Sequence, residues 1–170
     1  MTKDVLISIS GIQLAEELDG EPVEVITSGE YYLKNGKHYL LYEEVVEGAK
    51  SPGKNMIKIG EDCMELTKKG VTSTHMIFQK NRKNVTYYHT PYGSLQIGIE
   101  TSRIDMKETD GQLHVEVDYS LEVNYEHAAD CHIFLNVNEK GDERFHIVKE
   151  KKKNRKTAFH SKCELESGSF

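Results

Sequence analysis

From Leu113 to Tyr125 the chain alternates without a break: Leu113, Val115, Val117, Tyr119, Leu121, Val123 and Tyr125 are separated by His114, Glu116, Asp118, Ser120, Glu122 and Asn124. A period of two held this long describes an extended strand with one apolar and one polar face. Such a strand belongs in an antiparallel sheet with one wet side. The rhythm recurs at Val5, Ile7 and Ile9, at Val23, Val25, Thr27, Gly29 and Tyr31, and at Leu95, Ile97, Ile99 and Thr101. It predicts strands over about 3–14, 22–34, 37–47, 53–60, 62–69, 72–80, 84–91, 93–107, 111–126 and 130–138.

The punctuation between them is that of hairpins. Asn35-Gly36 and Asp110-Gly111 suit type I′ turns, Gly60-Glu61 suits a type II′ turn, and Thr90-Pro91-Tyr92-Gly93 suits a type I turn. Short connections between eight to ten strands predict an all-β fold, a single antiparallel up-and-down barrel in which the N-terminal strand meets the last ones. Closure is the arrangement that removes exposed edges.

The alternation stops near residue 138. A barrel domain over 1–138 and a basic, flexible tail over 139–170 are therefore expected, the tail carrying six basic residues in the eight from Lys149 to Lys156. Residues 1–148 hold 15 Lys and Arg against 25 Asp and Glu, so an acidic body carries the basic run. Clustered cations can release counterions from a phosphate backbone, but that body repels a polyanion, and a solvated tail is the plainer reading. RNA or an acidic protein partner is the alternative. With no apolar run of membrane-spanning length, no leader-like stretch and three widely spaced cysteines (Cys63, Cys131, Cys163), a cytoplasmic protein with reduced thiols and no membrane partner is expected.

The order of "GEYYLKNGKHYLLYEE" (29–44), "ELTKKG" (65–70), "MIFQ" (76–79), "YYHTPYGSLQIGIETSRI" (87–104) and "LHVEVDYSLEV" (113–123) resembles the YwiB-like family of small bacterial proteins. The resemblance covers about residues 3–138 and implies a calycin-like, lipocalin-like β-barrel. It implies a fold and a cavity but no reaction, because a fold does not determine a function. The pattern leads one to expect an arginine two residues before Gly70, where this chain has Lys68, a point charge in place of a planar fork.

Chemistry-bearing residues fall into a few groups. Tyr31, Tyr32, Tyr39, Tyr42, Tyr87, Tyr88 and Tyr92 either give a ligand cavity apolar faces with hydroxyl handles or pack as ordinary strand residues. By alternation Glu44 shares a face with Leu40 and Tyr42, and Lys68 with Met64 and Leu66, so an ion pair at the barrel mouth follows if those faces point inward. The candidate ligand contacts are thus Glu44, Lys68, Tyr31, Tyr42, Tyr88, His89 and Tyr92. His127, Cys131 and His132 place adjacent residues on opposite strand faces, poor geometry for one metal ion. Ser94 and His89 flank a turn without a nucleophile elbow or a third orienting group. No catalytic residue, metal or cofactor is assigned. The expected function is non-catalytic binding of a small ligand in or at the mouth of the barrel.

Overall fold

The computed structural model describes residues 4–11, 24–45 and 47–140, and the basic run 149–156 lies outside them. Ten strands follow in order: β1 (Asp4–Ser10), β2 (Glu24–Lys34), β3 (Lys37–Glu44), β4 (Gly53–Ile59), β5 (Cys63–Lys69), β6 (Thr74–Gln79), β7 (Arg82–Thr90), β8 (Gly93–Thr109), β9 (Gln112–Val123) and β10 (Glu126–Glu139). They form one antiparallel sheet in the order β6-β5-β4-β3-β2-β1-β10-β9-β8-β7. The N-terminal strand does pair with the last, Ile7 opposite Val137 and Ile9 opposite Leu135. The sheet curls until β6 returns to β7 and β8, joined by the bridges Ser73–His89 and Lys80–Thr101, so the barrel is nearly closed.

The alternation decides the faces. Val5, Ile7, Leu40, Ile57, Leu66, Met76, Phe78, Tyr88, Ile99, Val115, Val117 and Ile133 point inward, are buried, and belong to the core that fills the barrel. Phe78 meets Tyr119 edge-on, ring centroids 5.0 Å apart, and the Tyr119 hydroxyl donates to the Gly11 carbonyl at 3.0 Å. Two register shifts interrupt the pattern, between Thr101 and Arg103 on β8 and between His127 and Ala129 on β10. At each, an extra residue keeps the apolar set on the inner side as the strand bends.

Three turns test the sequence reading. Asn35 and Gly36 both take positive φ, 53° and 76°, as a type I′ turn requires. In Asp110-Gly111 only the glycine does, at 74°, so that turn is not type I′. Gly60 is not left-handed either, and the β4–β5 connection is a three-residue loop closed by Gly60 N–H donating to the Cys63 carbonyl at 2.8 Å. The type II′ expectation fails there because a third residue lets the chain turn without that conformation.

Because successive strands run antiparallel, the β1–β2, β3–β4, β5–β6, β7–β8 and β9–β10 connections share one end of the barrel. Val45, Val71, Tyr92 and Tyr125, in the last four of these, are all exposed. The connections at the other end, Asn35-Gly36, Gly60–Asp62, Lys80-Asn81 and Asp110-Gly111, carry no large apolar side chain.

Candidate functional site

The inward phase of β3 continues from His38 and Leu40 to Tyr42 and Glu44, and that of β5 from Met64 and Leu66 to Lys68. Near the loop-tip end the inner face therefore turns polar. Lys68 Nζ lies 3.2 Å from Glu44 Oε2, with the lysine side chain only 16% exposed and the carboxylate 37%. The ion pair expected from alternation is formed. Between the two strands, β4 contributes Asn55, opposite Tyr42 on one side and Lys68 on the other. Its Nδ2 donates to the same Glu44 oxygen at 3.4 Å. Asn55 is 4% exposed, and its Oδ1 has no hydrogen-bond partner. Burial first, and the Glu44 charge second, push the Tyr42 phenol above its ordinary pKa, so it stays protonated.

Beside this group the wall itself opens. The β2–β3 ladder ends at Glu30–Leu41, while β2 stays paired with β1 back to Glu24 and β3 stays paired with β4 on to Glu44. The two strands part toward the loop-tip end, leaving a cleft of about 470 Å³ bordered by Thr27–Glu30, Leu41–Glu43, Lys54 and Asn55. That volume is in the range of small-molecule sites. Gly29 lies at the point of parting: a Cβ there would meet Ile7 Cδ1 at 2.5 Å and the Leu41 carbonyl oxygen at 2.6 Å.

The remaining candidates are distributed otherwise. Tyr88 is fully buried in the core, toward the same end. His89 faces outward, where its Nδ1 is 2.7 Å from Ser94 Oγ and its ring stacks on Tyr87. This exposed pair has no third group orienting the imidazole among the described residues. Tyr92 is 99% exposed at the β7–β8 turn. Tyr31 lies toward the opposite end: its hydroxyl is 2.7 Å from His38 Nδ1, and His38 Nε2 is 3.3 Å from Glu108 on the far strand β8. This relay crosses the barrel end. Tyr32 and Tyr39 stack on the outer face, 5.0 Å apart.

Asn55 and His38 escaped the sequence reading. The signal for both was a polar residue in an inward position, Asn55 two before Ile57 and His38 two before Leu40.

The outer face of β8–β10 carries a second polar network. His114 lies 2.6 Å from Asn136 Oδ1 and 3.2 Å from Glu116, His132 lies 3.0 Å from Glu116 and also bonds Asp118, and Arg103 Nε donates to Asp118 at 2.6 Å and also pairs with Asp105. Burial pushes Glu116 and Asp118 up, but hydrogen bonds from His114 and His132 to the first, and from Arg103 and His132 to the second, outweigh it and hold both below the usual carboxylate range. Cys131 points inward and His132 outward, and the described residues contain no group of three His, Cys, Asp or Glu placed to hold a metal ion. None of their helices is long and apolar enough to cross a membrane, which says nothing about strands.

Comparison with known proteins agrees with the geometry. The chain is 27% identical over 109 residues to the "Uncharacterized beta-barrel protein YwiB" of Bacillus subtilis, covering 63% of this chain and 75% of that protein. The crystal structure of ywiB protein from Bacillus subtilis superposes with a TM-score of 0.63 at 20% identity, covering 82% of this chain and 91% of that one, a likeness of fold. The model of the domain of unknown function DUF1934 matches residues 7–135. With most of its length matched, and with an antiparallel barrel of the kind that the sequence motifs pointed to, the chain belongs to this YwiB-like, DUF1934 family.

Proposed function

We propose that this protein is a non-catalytic binding barrel that takes a small ligand in the β2–β3 cleft, next to the Glu44–Lys68 pair. The observation that supports it is the meeting of a ligand-sized opening in the wall with two polar residues that line it, the partly buried Tyr42 and the buried Asn55. The core is occupied by its own side chains, so the site belongs to the wall and mouth rather than to the depth of the lumen. The exposed Val45, Val71, Tyr92 and Tyr125 surround the same end and give an incoming molecule apolar surface. A cytoplasmic setting accords with the free thiol of Cys63.

Native mass spectrometry of protein purified from its own host tests this reading. The expected result is a noncovalent small-molecule adduct whose removal shifts the amide resonances of residues 27–30, 41–44 and 54–55. Protein that carries no adduct, and whose spectrum is unmoved by a small-molecule extract of the host, would overturn it.

A further inference from the structure

We infer that the ligand of the cleft is a short extended peptide, which adds a strand to the free edge of β2 over residues 24–28. This rests on the binding reading above and names the chemical class that the cleft takes. Where β2 and β3 part, β2 loses a neighbour but not its form. Residues 24–30 stay paired with β1 in unbroken register, while the β2–β3 ladder stops at Glu30–Leu41. A strand paired on one side only presents a row of unpaired backbone groups on the other.

Which groups these are follows from the alternation of the ladder. The two-residue turn at Asn35-Gly36 makes Lys34 and Lys37 exchange both backbone bonds, so every second residue of β2 back from Lys34 turns its N–H and C=O toward β3. Those residues are Tyr32, Glu30, Ser28 and Ile26. The far side of β1 agrees: Lys140 N–H donates to the Asp4 carbonyl at 3.4 Å, so Asp4 faces β10, and Val5, Ile7 and Ile9 face Gly29, Thr27 and Val25. On β3 the same count turns Glu43 to the parting. Among the described residues, the one partner that the backbone groups of Ile26, Ser28 and Glu43 find there is the Thr27 hydroxyl, 3.3 Å from the Ser28 carbonyl.

The edge is also suited to being extended. Residues 25–28 read Val-Ile-Thr-Ser, with three β-branched side chains and no proline, charge or bulge to blunt the edge. The β3 edge is free only over residues 42–44, so β2 is the longer template. Because the two strands converge at Glu30–Leu41, an added strand enters from the loop-tip end. Its backbone pairs with Ile26 and Ser28, and its side chains alternate between the outer face beside Ile26, itself 40% exposed, and the inner face beside Thr27 and Tyr42. A peptide repeats N–H and C=O at the spacing of the edge, which an isolated polar headgroup does not.

The test is selection of a displayed library of short random peptides on the full-length protein, followed by NMR with the enriched peptides made synthetically. Binding should slow amide exchange at Ile26 and Ser28, whose N–H groups face the cleft, and leave Val25 and Thr27, already bonded to β1, as they were. N-methylation along the peptide should act with a period of two, weakening binding about tenfold at every second residue and changing little at the others. Ile26→Pro removes the facing N–H and spares the β1 ladder, as proline does on an edge strand, and should also weaken binding about tenfold. Ser28→Pro serves if that variant does not fold, and the N-methylation scan needs no variant.

Peptides whose binding ignores N-methylation at every position, or that protect Ser73 and His89 between β6 and β7 instead of Ile26 and Ser28, would overturn pairing at this edge. Protection of Ile26 and Ser28 that is present without peptide and rises with protein concentration would make the occupant a second copy of this chain and overturn the peptide. No enriched peptide, with a copurifying non-peptide adduct seated at residues 27–30 and 41–43, would overturn the ligand class and leave the binding reading standing. Neither peptide nor adduct would remove both.

Discussion

Glu116 and Asp118 make the acid limb of stability a property of a few side chains. Each is held below the ordinary carboxylate pKa by its histidine and arginine neighbours, against the opposing pull of burial. A carboxyl whose pKa is lower folded than unfolded stabilises the fold fully above its unfolded value, about 4, and loses that contribution as pH falls through the folded value. The urea midpoint should therefore be flat with respect to these two groups above about pH 5 and decline below about pH 4. The double variant Glu116→Gln, Asp118→Asn should start lower at neutral pH and show a shallower decline, measured by urea unfolding at half-unit pH steps. Parallel curves for the two proteins would remove these carboxylates from the account. Both lie on the outer face, so the comparison leaves the cleft untouched.

At the scale of strands and turns, two glycines separate conformational need from steric need. Gly36 sits at φ 76° with nothing within 4 Å of a would-be Cβ, so Gly36→Ala strains only the backbone, by ~1–2 kcal/mol. Gly29 has no such φ, but its Cβ would collide with Ile7 and Leu41, an overpacking cost of ~1–3 kcal/mol. Ile7→Val removes the Cδ1 atom that a new Cβ would strike. Urea-unfolding double-mutant cycles should therefore show favourable coupling between Gly29→Ala and Ile7→Val, and none between Gly36→Ala and Ile7→Val. Strict additivity at both sites would contradict the close approach of β1, β2 and β3. The contrast also marks what was legible in the sequence. Alternation and hairpin signals located all ten strands to within a few residues and put Glu44 and Lys68 on one face, because period two fixes sidedness locally. The parting of β2 from β3 was not legible, since Gly29 continues the alternation like any other residue and the collision that requires it comes from Ile7, far away in sequence. The His38–Glu108 contact was equally hidden: it depends on barrel diameter, and on a β8 bulge that resets which residues face inward.

For the molecule as a whole, the distinctive element is how the sheet closes. Every other neighbouring strand pair is joined by a ladder, but β6 and β7, linked by the Lys80-Asn81 turn, are bridged by the mutual Ser73–His89 backbone bonds and the Thr74 hydroxyl on the Tyr87 carbonyl, with Asn81 N–H on the Thr101 carbonyl beyond. Native-state hydrogen exchange should find the amides of Ser73, His89 and Asn81 opening at far lower free energy than those at the centres of β9 and β10. Equal protection across the barrel would refute a weak closure. The two ends differ as well, apolar tips on one and polar turns on the other, so the seam runs from a sticky rim to a soluble one. If the clasp lets go, β6 and β7 stay tied at the Lys80-Asn81 turn but gape toward the other end, leaving bare edges there, each able to accept the complementary edge of another copy. The rare unclasped molecule, rather than the unfolded chain, is then the species that recruits its neighbours. Loss of soluble protein on storage should accordingly rise with concentration, and should track the exchange rate at Ser73 and His89 rather than the global unfolding free energy.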